Sequence, residues 1–368
     1  MLRSPHGTTD DSAPSLGPTV PHAPTRVDNP PNPWQSQHVE WLEPPPEVAL
    51  EVFEEQARSI LSTNDSPDLP FRLSLNPYRG CQHACAYCYA RPTHQYIGLG
   101  AGTDFDTKIV VKRNAAEVLR RELAQRRWNR GREPIAFSGV TDCYQPLEAS
   151  FALTRACLEV CDEFRHPVGV VTKSALVRRD SQLLARMARR GGAHVALSIP
   201  FADEHDARAL EPWASSPATR FETLARLADA GVPVGVAIAP LIPGLNDSAL
   251  PEILERARDA GATQAFTVLL RLPLEVRDVF EQRLRAHFPH RADRILNAVR
   301  EMRGGSLCSS AFGERMSGTG PRFQALARLF ELQCRRLGLV CGSGQDARLR
   351  EFRAANVRER QGRLFDGA

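Results

Sequence analysis

The chain has 368 residues and a formal net charge of +4, with 42% hydrophobic and 24% charged residues. That balance belongs to a water-soluble globular protein with one large core of roughly 230–250 residues plus additions, or two ordinary domains. No apolar run is long enough to span a membrane, and "MLRSPHGTTDDSAPSLG" offers no secretory signal, so a cytoplasmic chain with reduced thiols is expected. Lysine occurs only at Lys108, Lys112 and Lys173 among 47 basic residues. So strong a bias toward arginine fits a GC-rich genome and carries little weight as a sign of nucleic acid, even in "RLREFRAANVRERQGR", which reads first as a solvated helix face.

In chain order, residues 1–45 are rich in Pro, Ser, Thr and Asn without periodicity and read as a disordered leader. Residues 46–69 are expected to form a helical lead-in. From about residue 70, short β-branched runs alternate with amphipathic helical segments. The strand runs are "RLSLN", "PIAFSG", "VGVVT", "HVALSI", "VGVAIA" and "AFTVLL", with "TKIVV" as an extra segment. The helical segments between them include "LTRACLEVCDEF", "ATRFETLARLADAG" and "SALPEILERARDAG", the last two ending in a glycine suited to a C-cap. Continuous apolar strands separated by helices predict a parallel sheet covered by helices, here an α/β (β/α)6 partial TIM barrel over residues 70–305. Residues 306–356 read as a helical C-terminal extension and 357–368 as a flexible tail.

In parallel α/β folds, reactive residues collect where strands end. The loop after "RLSLN" reads "NPYRGCQHACAYCYAR", with Cys81, Cys85 and Cys88 in eight positions. A structural zinc site wants four ligands, usually in two separated pairs, and His83 sits too close to its neighbours to complete one comfortably. A thioredoxin-like pair would need only Cys85 and Cys88 and leaves Cys81 unexplained. Three thiolates on one short loop suit a cubane iron–sulfur cluster with one iron left open.

A CxxxCxYC loop after the first strand of a six-unit partial barrel resembles the radical SAM superfamily. With "SGVTDCYQPLE", "VVTKSALVRRD", "LSIP" and "IAPLIPGLND", the chain is similar to the spore photoproduct lyase-like branch over roughly residues 70–305. The resemblance implies that Cys81, Cys85 and Cys88 hold a [4Fe–4S] cluster whose open iron chelates S-adenosylmethionine. It further implies reductive cleavage to a 5′-deoxyadenosyl radical that abstracts hydrogen from a substrate. Tyr87 is then expected beside the adenine, and Ser138, Gly139, Thr141 and Asp142, then Lys173 and Ser198, around the rest of the cofactor. Lys173 suits the methionyl carboxylate as a point charge. A flavodoxin- or ferredoxin-type electron donor and a nucleic-acid substrate are implied as partners.

The chain departs from true spore photoproduct lyases in one respect: no cysteine precedes the Thr141–Asp142 turn where they carry a hydrogen donor. Cys143 follows the aspartate and is the candidate donor if it faces the cavity. Glu148 and Arg178 are candidates for the site or for helix caps, and Asn246 and Asp247 for a cap on the helix that follows. Cys157 and Cys161 should pack inward, and Cys308, Cys334 and Cys341 are too widely spaced to read as a second cluster. Gln361, Leu364 and Phe365 resemble a docking peptide for the bacterial sliding clamp. The readings from other classes are an iron–sulfur redox sensor or DNA-binding protein without SAM turnover, and a zinc-stabilised interaction protein.

Overall fold

A computed structural model describes residues 49–343 apart from 67, 126–127, 129–132 and 310–314. The leader, the last part of the C-terminal extension and the tail with Gln361, Leu364 and Phe365 lie outside the described residues.

Eleven strands are described, in two sheets. The larger contains β3 (Leu73–Leu75), β6 (Ile135–Phe137), β7 (Val168–Thr172), β8 (Ala193–Ser198), β9 (Val234–Leu241) and β10 (Gln264–Leu269), each parallel to the next. These are the six expected barrel strands. Valine, isoleucine, leucine and alanine dominate them, and residues such as Leu75, Val195, Val236 and Ile238 have no exposed surface. The helices Ala115–Leu123, Leu153–Glu163, Ser181–Ala188, Pro217–Asp229 and Leu250–Asp259 return the chain between successive strands and bury their apolar faces on the sheet in one continuous core. Gly231 and Gly261, just past two of these helices, take φ of +81° and +88°, as the C-cap reading requires. Cys157 and Cys161 are fully buried on the helix Leu153–Glu163.

One expectation is corrected. The segment 46–69 is not a helical lead-in: it holds β1 (Glu51–Glu55) and β2 (Leu61–Thr63). β1 runs parallel to β5 (Lys108–Lys112), the "KIVV" run, which also pairs with β4 (Tyr78–Arg79) to make the second sheet. β2 pairs antiparallel with β3. Strands made from such helix-tolerant residues exist because a sheet edge elsewhere in the chain accepts their backbone groups, and no local periodicity reports that. The carboxylate of Glu122 accepts the Ile60 and Leu61 amides at 3.2 and 3.0 Å and fixes the entry to β2. The helical C-terminal extension is present as the helix Gly320–Leu337, and β11 (Val340–Ser343) follows it and extends the large sheet beside β10.

The large sheet consequently has two ends, β2 and β11, and is a partial barrel rather than a closed one. Among the described residues, no helix is long and apolar enough to cross a membrane.

One half-buried base, with its Nε2 wholly enclosed, gives the fold a pH signature. His194 on β8 is driven down to about 4 by burial, and its Nε2 has no partner. The unfolded chain takes up this proton near pH 6.5, the native state only near 4, so stability is lost as pH falls across that window. The loss should be about 3 kcal/mol. In urea titrations at pH 7.5 and 4, His194→Leu should lose less stability than the wild type by about that amount; equal losses would refute the assignment.

Candidate active site

The ligand loop leaves β4 through Gly80, whose φ of +79° is a left-handed conformation. A Cβ there would stand 2.9 Å from His94 Cε1, Ile109 Cδ1 and the Phe105 carbonyl, so neither the conformation nor the space admits another residue. The Cys81 amide then bonds to the Phe105 carbonyl at 2.9 Å. Tight turns follow, with Ala84 and Cys88 amides bonding to the carbonyls of Cys81 and Cys85. Cys81 and Cys85 are buried and Cys88 half-buried.

Arg91 holds this loop from beneath with no exposed surface. Its Nε donates to the Cys85 carbonyl at 3.0 Å, one terminal nitrogen donates to the carbonyls of Ala101 and Gly102, and the other to both oxygens of Asp106. Gln145 holds it from the side: its Nε2 donates to the Gly80 carbonyl and its Oε1 accepts the Gln82 amide, each at 3.1 Å.

Burial raises all three thiols, Cys85 to about 12 against the opposing pull of Lys173. Neutral thiols in such a place are poor nucleophiles but become thiolates once a cation supplies the missing charge. A structural zinc ion wants four protein ligands. His83 does not join the three thiols: its Nδ1 faces Asp142 Oδ2 at 3.3 Å. Three sulfur donors on one short loop suit a cubane cluster better than a structural zinc ion.

Across from the loop, the ends of β6, β7 and β8 form one polar rim. Asp142 accepts the Thr172 hydroxyl at 2.7 Å and the amides of Lys173 and Tyr144 at 2.8 and 2.9 Å. Burial alone would raise this carboxyl, yet His83 and the Lys173 and Thr172 hydrogen bonds outweigh it and hold it at about 2. Asp142 thus ties the cysteine loop to the ends of two strands. Ser138, at φ +70°, accepts the Cys143 amide at 3.0 Å, the Gly139 carbonyl accepts the Tyr89 hydroxyl at 2.6 Å, and the Thr141 hydroxyl donates to the Tyr78 carbonyl at 3.2 Å.

Lys173 and Ser198 come together: Nζ donates to the serine Oγ at 2.6 Å. The same ammonium lies 5.6 Å over the ring of Tyr87 and 3.8 Å from Glu211. Glu211 is fully buried, accepts the Tyr87 hydroxyl and pairs with Arg220. Burial pushes Glu211 up, but Arg220 and Lys173 prevail and keep it below its ordinary value. Arg220 is also buried and reaches the Ser198 carbonyl at 2.9 Å. Two cations therefore share one carboxylate beside the cysteine loop, leaving positive charge for an anion to meet.

Cys143, the candidate donor if it faces the cavity, has no exposed surface and packs with the main core. Glu148 is a cap, accepting the Thr154 amide at 2.9 Å at the start of the helix Leu153–Glu163 and the Arg179 guanidinium at 2.6 Å. Arg178 is tied to Thr223 and Glu222. Asn246 caps no helix; its Oδ1 accepts the Ile242 amide and its Nδ2 clamps the carbonyls of Pro200 and Pro240, while Asp247 accepts the Gly244 amide. Arg91, Gln145, Glu211 and Arg220 were not legible as site residues; the first two lay inside the quoted motifs, and the last two, outside them, carried no signal.

A family model of the radical SAM superfamily matches residues 75–257. An uncharacterized protein of Mycobacterium tuberculosis is 41% identical over 197 residues, 53% of this chain and 57% of its own length. One of Methanocaldococcus jannaschii is 29% identical over 198 residues, 54% of this chain and 70% of its own. The match thus spans a little over half the length of the mycobacterial relative. In fold, the chain is similar to spore photoproduct lyase complexed with dinucleoside spore photoproduct, with a TM-score of 0.56, 16% identity and coverage of 79% of this chain and 81% of that one. A variant of that enzyme with bound AdoMet and dinucleoside spore photoproduct gives a TM-score of 0.55 at 16% identity, with the same coverage of both chains. With the cysteine loop at the first strand end and a charged rim facing it, residues 75–257 form a radical SAM domain, and the enzymes of that superfamily work with a [4Fe–4S] cluster and S-adenosylmethionine.

Proposed function

We propose that Cys81, Cys85 and Cys88 hold the cluster and that Lys173, Ser198 and Tyr87 receive the S-adenosylmethionine. The observation that carries the proposal is the surplus positive charge of Lys173 and Arg220 over Glu211 beside the three thiols. When bound, the two cofactors supply a 5′-deoxyadenosyl radical, a hydrogen-abstracting group. The chain's own part is to place and shield. Lys173 offers a point charge to the methionyl carboxylate, steadied by the buried Ser198, whose hydroxyl donates in turn to the Ala239 carbonyl at 3.2 Å. Tyr87, anchored through its hydroxyl to Glu211, gives a planar wall for the adenine. Asp142 is a positioning residue, since its carboxylate is occupied by protein donors. Cys143 is not offered as hydrogen donor. The substrate is proposed to be a nucleic acid or one of its components, on the likeness of fold to an enzyme solved with a dinucleoside lesion. Reducing equivalents would come from a flavodoxin- or ferredoxin-type donor.

After anaerobic reconstitution, the wild type should show iron and sulfide near four each per chain and release 5′-deoxyadenosine with dithionite and S-adenosylmethionine. Cys81→Ala, Cys85→Ala or Cys88→Ala should lose both, whereas Cys341→Ala should keep both. An intact cluster with no 5′-deoxyadenosine would favour the redox-sensor reading. Lys173→Met should keep the iron but weaken S-adenosylmethionine binding by about 10- to 100-fold, the worth of a charge-assisted contact; unchanged affinity in calorimetry would remove Lys173 from the cofactor site. Gly80→Ala should cost about 2–4 kcal/mol in urea unfolding, from the left-handed backbone and the three close contacts together, and should lower iron retention.

A further inference from the structure

Arg271 lies two residues beyond the end of β10, at the sixth strand end of the barrel mouth. Its guanidinium stands 5.1 Å over the ring of Tyr89, the residue that follows Cys88. The Tyr89 hydroxyl reaches the Gly139 carbonyl at 2.6 Å. One stack therefore links the cysteine loop, the turn after β6 and the end of β10. Tyr89 still exposes 47% of its surface there.

Two further guanidiniums share this corner. Arg303 donates to the carbonyls of Leu270 and Leu269 at 2.7 and 2.9 Å, gripping the chain beside Arg271. Arg315 reaches Asp68 at 2.6 Å. Burial lowers Arg271 from its ordinary value, and Arg315 opposes its charge further; Arg303 is lowered by burial and by Arg271. The carboxylate felt at Arg271 is Asp68, which Arg315 already engages. Among the described residues, Arg271 makes its stack on Tyr89 and no ion pair. Lys173 differs, being held by Ser198 and Glu211. Like charges gathered partly out of water cost free energy that a bound anion would offset. A guanidinium fork matches a phosphate bidentately, and an arginine–tyrosine stack accommodates a planar ring beside it.

We propose that Arg271 seats a phosphate group of the substrate at the barrel mouth, with Tyr89, Arg303 and Arg315 forming the wall of that seat. The proposal rests on the radical SAM reading of the site and names the chemistry of its substrate: a phosphate carried next to a planar ring. A free nucleotide and a nucleotide within an unpaired strand share that chemistry.

The test uses the full chain with its cluster reconstituted, a fluorescein-labelled single-stranded octanucleotide as probe, and a nucleoside monophosphate as competitor. Arg271→Gln should weaken probe binding about 10- to 100-fold and reduce the salt slope by about one. Arg271→Lys, which keeps the charge but not the fork, should recover part of the loss. Thermal midpoint and calorimetric S-adenosylmethionine affinity, measured on the same variants, show that fold and cofactor seat survive. Displacement by the monophosphate at concentrations similar to unlabelled strand identifies a free nucleotide; displacement by strand alone identifies nucleic acid. Equal binding by wild type and Arg271→Gln overturns the proposal. So does S-adenosylmethionine affinity falling in step with probe affinity, since Arg271 would then belong to the cofactor. A wild type that releases 5′-deoxyadenosine yet binds neither probe removes the phosphate seat while leaving the radical SAM reading intact.

Discussion

The arrangement depends first on one buried guanidinium. A loop carrying three thiols within eight residues cannot form a ladder with a neighbouring strand, so its backbone carbonyls need partners of another kind. Arg91 supplies several at once, joining the Cys85 carbonyl to the carbonyls of Ala101 and Gly102 and to Asp106. A lysine could not replace it, because its three donors radiate from one atom whereas these acceptors lie around a planar fork. Burying such a charge costs several kcal/mol unless it is paired and fully hydrogen-bonded. Here Asp106 is the paired anion and three carbonyls take other donors, so the charge serves as a rigid bracket for the loop.

The second buried group uses its charge differently. Arg91 pairs with Asp106, which the buried Arg283 also faces, and Lys173 and Arg220 both engage Glu211, so each cluster sets two cations against one carboxylate. What differs is where the donors go: those of Arg91 also hold three backbone carbonyls, whereas Lys173 Nζ donates to the Ser198 hydroxyl. The first network is a bracket for the backbone and the second is the proposed seat of the cofactor, although both are buried and both adjoin the same cysteine loop. Asp142 belongs with the scaffolding, since the protein already fills its acceptor positions and keeps it ionised against burial.

What could be read from the sequence follows the range of the interactions involved. Six strand runs were legible because burial on both faces writes a continuous apolar signal, and β3 and β6–β10 each overlap one of those runs. The rim residues were legible because strand ends bring motif segments together: Lys173 and Ser198, twenty-five residues apart, are in hydrogen-bond contact. β1, β2 and β11 were missed because edge strands owe their conformation to a partner distant in sequence, Val340 standing opposite Gln264. Glu211 and Arg220 were missed for a related reason: an acid after one helix and a base within the next look like solvated charges until the fold encloses them. Adjacency in sequence says nothing about direction: Asp142 faces His83 on the cysteine loop, while the side chain of Cys143 packs with the core.

The scarcity of lysine sharpens the contrast between the two kinds of cation. In a chain with 47 basic residues, Lys173 is one of three lysines, and it occupies a place where a fork has no use. Its Nζ must meet the Ser198 hydroxyl at 2.6 Å while lying over the Tyr87 ring at 5.6 Å and near Glu211 at 3.8 Å. A compact ammonium satisfies these three directions from one point. A guanidinium in its place would need a plane of space between Tyr87 and Ser198 and would bring its donors to Glu211, which Arg220 already engages. The positive charge would then be taken up inside the protein, and the surplus proposed to receive the methionyl carboxylate would be lost. Arginine builds the bracket and, in the proposed reading, the forked seat at Arg271; lysine stands where the proposed cofactor needs a single point of charge.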